Sequence, residues 1–188
     1  MLEERILRDG KCLPGDVLKV DSFLNHQIDV KLLCELGKEL ERLFHGEGVT
    51  KIVTVEASGI AVACMAAQYF GVPVVFAKKS KTSNLSNDVY TAEVASYTHG
   101  VVNTVMISKQ YLHAEDRVLI IDDFLAKGQA LLGLSDIIRQ AGATVVGAGI
   151  VIEKVYQGGG ELLRRQGIRV ESLARIASLE GGITFCED

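Results

Sequence analysis

The chain has 188 residues, of which 48% are hydrophobic, and a formal net charge of −4. This length and composition predict one folded domain with a substantial core and exclude a disordered chain. The negative charge excludes a chain that binds nucleic acid through its overall charge. No apolar run reaches the roughly 18–20 residues of a membrane span, so we expect neither nucleic acid nor membrane as a partner.

The first residues and the cysteines indicate the compartment. Residues 1–5 lack the apolar segment of a signal peptide. The four cysteines lie far apart and show no metal-ligand spacing. We therefore expect a reduced, cytoplasmic protein, and the sequence assigns no residue directly to a metal.

The hydrophobic pattern predicts alternating helices and strands. In chain order we expect a helical start and a turn at Pro14-Gly15, a helix over 28–44, a strand over 51–55, a helix over 60–70, strands near 72–77, 89–97, 101–108 and 118–121, a helix over 128–141, a strand over 144–152, a short helix over 161–166 and an extended tail after 168. Strand–helix–strand alternation predicts an α/β fold with a mostly parallel central sheet flanked by helices.

Residues 118–130 carry the most informative pattern. An apolar run from Val118 to Ile121 predicts a buried strand, which Asp122 and Asp123 are expected to end. A turn over 126–128 then begins a helix. Ligands of open α/β sheets bind at the carboxyl ends of strands, and helix N-termini attract phosphate. The pattern suits a sugar phosphate, although acids that cap the helix or lie solvated in a turn explain the spacing equally well.

The same stretch resembles the signature of the type I phosphoribosyltransferases, in which two acids and two spacers precede Ala-Thr-Gly. Both acids, Ala126 and Gly128 match, whereas Lys127 and the Gln-Ala pair after Gly128 replace the usual hydroxyl residues. The Gly-Gln-Ala ending is similar to the bacterial xanthine phosphoribosyltransferases. Three further stretches agree with that group: 17–27, 151–154 and 169–176.

The resemblance implies the type I phosphoribosyltransferase fold in a single domain, 1–188. Its core would comprise about 46–153, and a small hood from about 1–30 and 154–188 would cover the active site. The implied reaction transfers the 5-phosphoribosyl group from phosphoribosyl pyrophosphate to xanthine, giving xanthosine 5′-monophosphate and pyrophosphate in purine salvage. The resemblance also implies Mg²⁺ with phosphoribosyl pyrophosphate, and a homodimer.

Two alternatives remain open at this stage. The same fold serves non-catalytic regulators that sense phosphoribosyl pyrophosphate, but residues 1–27 are too few for an added DNA-binding domain and the net charge is negative. A guanine or hypoxanthine phosphoribosyltransferase is the second alternative. A lysine at the 6-oxo group disfavours adenine but does not separate the 6-oxopurines from one another.

The resemblance also assigns roles to residues. The acids Asp122 and Asp123 would be catalytic by holding the ribose hydroxyls. The phosphoribosyl pyrophosphate loop would be formed by Ala126, Lys127, Gly128, Gln129 and Ala130. The purine would be bound by Leu18, Asn25, Lys154 and Tyr156. Pyrophosphate would contact Ser58, Gly59, Lys78 and Lys79, and residues 80–92 would form a lid. Without the resemblance, most of these residues would be assigned to the core, to loops or to the solvated surface.

Overall fold

A computed structural model of the chain describes residues 1–79, 88–96 and 101–187. The helices are α1 (Leu2–Asp9), α2 (Val30–Leu43), α3 (Gly59–Phe70), α4 (Gln129–Gln140) and α5 (Gly159–Arg165). The strands are β1 (Lys11–Leu13), β2 (Val17–Lys19), β3 (Lys51–Val55), β4 (Val74–Ala77), β5 (Val89–Ser96), β6 (Val101–Ser108), β7 (Arg117–Leu125), β8 (Thr144–Lys154), β9 (Val170–Ser178) and β10 (Thr184–Phe185). A π-helical turn spans Asp21–Asn25, and 3₁₀ turns span Lys109–Tyr111 and Val155–Gln157.

The central sheet has the strand order β10-β9-β8-β7-β3-β4. All neighbours pair in parallel except β10, which is antiparallel to β9. From β3 the chain moves outward to β4 and then returns to β7 on the other side of β3. Such a reversal leaves a crevice at the carboxyl ends of the two central strands, where ligands of α/β sheets bind. The predicted α/β class with a mostly parallel sheet is confirmed.

Helices cover both faces of this sheet, which explains the uninterrupted apolar runs of β3 and β7. Residues alternate between the faces of a strand, so Leu119 and Ile121 join the core beneath α2 and α3, whereas Val118 and Ile120 join the core beneath α4. Burial of each such aliphatic side chain contributes about 1.5–3 kcal/mol. The site residues therefore lie at the ends of strands that pack against helices on both faces of the sheet.

Two small antiparallel ribbons complete the fold. One is the hairpin of β1 and β2, with Lys11 opposite Lys19, and the other pairs β5 with β6. The core beneath α2 also contains Ile6 of α1 and Phe23 of the π-helical turn. The N-terminal segment is thus packed onto the sheet layer rather than detached from it.

The structure extends one predicted strand and limits another expectation. Strand β7 does not end at Ile121 but continues through both acids to Leu125, because Asp122 and Phe124 keep pairing with β8. Strand β9 belongs to the central sheet, although it follows residue 154, where the hood was expected to continue. The division into a core and a hood stays a prediction. Of the expected lid, 80–87 lies outside the described residues and 89–92 belongs to β5.

Candidate active site

The two acids of β7 lie at the carboxyl end of the sheet, and both are buried at 6% exposure. Both acids are therefore removed from water, although adjacent residues of a strand ordinarily point to opposite faces. The Oδ1 atom of Asp122 accepts from the Asp123 amide at 3.0 Å. Burial, followed by the neighbouring Asp123 carboxylate, raises the pKa of Asp122 well above its usual range. The two acids form a buried pair in which the charged form of Asp122 is disfavoured.

Gly59 makes room for Asp122. A Cβ atom at residue 59 would lie 2.3 Å from the Thr54 hydroxyl and 2.8 Å from Oδ1 of Asp122. The Thr54 hydroxyl is itself buried without a hydrogen-bond partner among the described residues. Gly59, the first residue of α3, therefore leaves the space that the Asp122 carboxylate occupies. Its expected place in a pyrophosphate loop did not suggest this role.

Asn25 joins the N-terminal segment to the second acid. Its Nδ2 atom lies 3.4 Å from Oδ2 of Asp123. The π-helical turn that carries Asn25 is anchored by the buried side chains of Phe23 and Leu24. The predicted purine residue and the predicted catalytic acid are thus brought together.

The loop 126–130 connects β7 to α4 and forms the predicted phosphate turn. Gly128 has φ +80 at the N-cap of α4. The amide of Gly159 donates to the Ala126 carbonyl at 3.0 Å, so the loop rests on the start of α5. The first amides of a helix lack intrahelical partners and carry the positive end of the helix dipole, and the first residues of α4 line the cavity beside them.

A cavity of about 350 Å³ lies between these elements. The residues that line it include Glu56, Ser58, Lys79, Asp122, Asp123, Gln157 and the whole of 126–131. Of the predicted pyrophosphate residues, Ser58 and Lys79 therefore face the cavity. Gly59 lies behind Asp122, and Lys78 pairs its backbone with Met106 at 2.9 Å.

Glu56 was missed at the level of sequence. Its Oε1 atom accepts from the Lys79 amide at 2.6 Å, which joins the connection after β3 to the end of β4. The only available signal was its position directly after a buried strand. Both residues line the cavity, so this contact joins two parts of its wall.

The other predicted purine residues are not among those that line this cavity, and Tyr156 instead lines a separate pocket together with Asp16. Leu18 is buried in the core. Lys154 donates to the Asp16 carbonyl and Tyr156 donates to the Asp16 carboxylate, both at 2.6 Å. Burial lowers the pKa of Lys154, and burial together with the bond to Asp16 raises the pKa of Tyr156. Asp16 and Gln157 were missed, although Gln157 directly follows Tyr156.

The acids and the loop 126–130 line one cavity. Within 1–79, 88–96 and 101–187, no group of three or more His, Cys, Asp or Glu side chains is arranged to hold a metal ion.

No helix in the described ranges is long and apolar enough to cross a membrane.

Comparisons with known proteins agree with this arrangement. Residues 19–169 match the model of the phosphoribosyl transferase domain family. The chain is 55% identical to a xanthine phosphoribosyltransferase of Ruminiclostridium cellulolyticum, covering 100% of this chain and 99% of the relative. It is 57% identical to one of Bacillus cytotoxicus, covering 100% and 95%.

A solved structure also resembles the chain. The adenine phosphoribosyltransferase of Giardia lamblia complexed with 9-deazaadenine superposes with a TM-score of 0.77 at 22% identity, covering 92% of this chain and 96% of that one. At that identity the likeness concerns the fold alone. With the family match over most of its length and relatives that align from end to end, this chain belongs to the phosphoribosyltransferase family.

Proposed function

We propose that this protein transfers the 5-phosphoribosyl group from phosphoribosyl pyrophosphate to xanthine, forming xanthosine 5′-monophosphate and pyrophosphate. The observation that carries the proposal is the meeting of Asp122, Asp123 and the loop 126–130 around one cavity. Xanthine as the base rests on the full-length relatives, which are named xanthine phosphoribosyltransferases. The reaction is one of purine salvage.

The cavity accommodates the sugar phosphate in one orientation. The 5′-phosphate accepts from the amides of 126–130 at the N-terminus of α4, and the ribose hydroxyls donate to Asp122 and Asp123. Ser58 and Lys79, which line the same cavity, then receive the leaving pyrophosphate. Gly59 contributes by leaving the space that the Asp122 side chain occupies. Lys78 contributes through its backbone, which pairs with Met106 of β6.

The base is recognised on the hood side of the acids. Lys154 donates to the 6-oxo group of the purine. A 6-amino group cannot take its place, because an amino group donates and a lysine ammonium has no acceptor. Asn25 offers both a donor and an acceptor to the 2-oxo edge. Tyr156 stacks on the ring, and Leu18 holds the hairpin in place from the core.

The chemistry is a displacement at the anomeric carbon. The bond from that carbon to the pyrophosphate oxygen breaks, a bond to a ring nitrogen of the base forms, and that nitrogen loses its proton. The transition state resembles an oxocarbenium ion. The carboxylates stabilise the positive charge on the ribose, and positioning of both substrates supplies the remaining rate enhancement. No covalent enzyme intermediate is required.

Magnesium belongs to this proposal as a companion of the substrate. Mg²⁺ is commonly held by one or two carboxylates plus substrate phosphates rather than by an all-protein cage. The carboxylates of Asp122 and Asp123 fit that description, and when bound there the ion would neutralise phosphate charge. The protein itself orients the hydroxyls and excludes water.

A turnover assay tests the proposal. Phosphoribosyl pyrophosphate and Mg²⁺ are supplied with xanthine, guanine, hypoxanthine or adenine, and the nucleotide is quantified. We expect xanthine to react with the highest kcat/KM and adenine not to react. Preference for guanine or hypoxanthine would contradict the base assignment. Binding of phosphoribosyl pyrophosphate without turnover of any base would contradict the enzyme and favour a sensor.

The homodimer and the cytoplasmic location remain predictions within this proposal. Phe76 of the edge strand β4 and Tyr111 are exposed large apolar side chains that line one groove, as expected of a surface that a second copy covers. Sedimentation equilibrium with the Phe76→Ser variant tests this. We expect the wild type to be dimeric and the variant to dissociate more readily. A monomeric wild type would contradict the prediction.

A further inference from the structure

The turn between β1 and β2 carries Asp16, which contacts three side chains at the end of β8 and just after it. Lys154 donates to the main-chain oxygen of Asp16, Tyr156 donates to its Oδ1 atom, and the Gln157 amide donates to its Oδ2 atom. Asp16 has φ +64, the left-handed region that aspartate tolerates better than most residues. The hairpin tip is thereby joined to the carboxyl end of the central sheet.

This contact connects residues assigned to the base with the reaction cavity. Leu18 follows Asp16 on β2 and is buried. On the other side, Gln157 lines the cavity that contains both catalytic acids. Asp16 therefore connects β2, a strand of the expected hood, with Gln157, which lines the reaction cavity.

We propose that Asp16 is a positioning residue for the purine base: its carboxylate holds Tyr156 and Gln157, and its main-chain oxygen holds Lys154, in the arrangement that receives the base. This inference rests on the proposed function. Lysine loses considerable rotamer entropy when it is ordered, and ordering it before the base arrives removes that cost from binding. The ammonium has three donors, so the bond to Asp16 leaves others for a 6-oxo group.

The charge on Asp16 supports this role. The hydrogen bond from Tyr156 is the main cause that lowers the pKa of the Asp16 carboxyl below its ordinary value. The carboxylate is therefore ionised at neutral pH, where it accepts from Tyr156 and Gln157 together. Hydrogen bonds to a charged group are stronger than those between neutral groups.

Two substitutions at this residue separate the side chain from the backbone. Asp16→Gly removes the carboxylate but keeps the left-handed turn and the carbonyl that Lys154 contacts. Asp16→Asn keeps an acceptor for Tyr156 and serves as the conservative rescue. Lys19→Gln is the matched control, since it removes only an exposed ion pair with Asp21 on the same hairpin.

The test compares KM values for both substrates. We expect Asp16→Gly to raise KM for xanthine about tenfold, the loss typical of hydrogen bonds to a charged group. Its KM for phosphoribosyl pyrophosphate and its melting temperature should stay near those of the wild type. Asp16→Asn, which keeps an acceptor for Tyr156 but loses the charge, should recover part of the loss, and Lys19→Gln should match the wild type. An unchanged or lowered KM for xanthine in Asp16→Gly would overturn the proposal.

A second measurement does not depend on turnover. Amide hydrogen exchange of the unliganded protein should accelerate over 11–19 and 154–157 in Asp16→Gly but not in Lys19→Gln. Equal exchange in all three proteins would overturn the positioning role even if xanthine reacts. Faster exchange in a protein that turns over no purine would instead locate the failure in the proposed function.

Discussion

The amide of Asn25 lies against the carboxylate of Asp123, with Nδ2 and Oδ2 3.4 Å apart, although 98 positions separate the two residues in the chain. The contact joins a residue assigned to the purine with a residue assigned to the ribose. The glycosidic bond forms between those two groups, so this part of the site lies at the reacting centre of the proposed reaction.

Substitution of Asn25 should therefore affect more than base affinity. We expect Asn25→Ala to lower kcat/KM for xanthine about tenfold, the loss of a hydrogen bond to a charged group. Asn25→Asp should lower it further, because a like charge beside Asp123 disfavours ionisation of both. Steady-state kinetics measure this. Gln27→Ala, which removes only an exposed bond to the Ser22 carbonyl, should behave as the wild type. Equal activity of all four proteins would contradict the role of Asn25.

The buried Asp122 predicts an unusual pH dependence of stability. Burial and the neighbouring Asp123 raise its pKa in the folded state, with a smaller opposing effect from Lys79. The folded protein therefore holds a proton that the unfolded chain releases above about pH 4. The contribution of this residue to stability falls as pH rises from there through the folded pKa, by at most about 1.4 kcal/mol per pH unit.

The isosteric variant Asp122→Asn removes this dependence while its carbonyl can still accept from the Asp123 amide. We expect Asp122→Asn to be more stable than the wild type at pH 8, with a difference that shrinks toward pH 4. Denaturant unfolding at several pH values measures it. Turnover by the variant should fall by about 10²-fold or more, as when a group that stabilises transition-state charge is removed. A stability difference that grows toward low pH would refute the assignment.

Gly128 allows a direct test of the phosphate loop. An alanine there would adopt φ +80 and place its Cβ 3.2 Å from the Gly159 carbonyl oxygen. At Gly167, φ is +78 but nothing lies within 4 Å of a Cβ atom. Both alanine variants should lose about 1–2 kcal/mol of stability through left-handed strain. Only Gly128→Ala should also raise KM for phosphoribosyl pyrophosphate. A similar rise in Gly167→Ala would show that general destabilisation is the cause.

Lys154 should determine base affinity rather than sugar-phosphate affinity. We expect Lys154→Ala to raise KM for xanthine by about 10- to 100-fold, the range for a hydrogen bond from a charged donor, and to leave KM for phosphoribosyl pyrophosphate nearly unchanged. Lys11→Ala, an exposed lysine on the neighbouring hairpin, is the matched control. Equal effects on both substrates in Lys154→Ala would remove this residue from the base site.

Local sequence patterns predicted most of the framework. The strand over 51–55 has the predicted bounds, and the helices after it and after the phosphate loop begin within one residue of the predicted start. These elements are buried on a constant face or on both faces, so their apolar residues recur with the period of the backbone. The acids and the turn at Gly128 were found because one strand, one turn and one helix present them in succession.

Contacts between distant segments could not be predicted in the same way. Strand β7 runs beyond Asp122 because β8 continues to pair with it, and no residue of β7 signals that partner. The contacts of Asp16 with Lys154 and Gln157 span 138 and 141 positions. Polar residues in turns look alike in sequence whether they are solvated or paired.

The sequence by itself determined the α/β class, the order of the central elements and the acidic strand followed by a phosphate turn, because each depends on residues that are neighbours in the chain. Only the tertiary structure decided that both acids are buried, that Gly59 lies against Asp122 and that Asp16 meets the segment after β8. Those outcomes depend on how strands from distant parts of the chain pack at the carboxyl edge of one sheet. Side chains there lose water and gain partners only when all of these segments are in place.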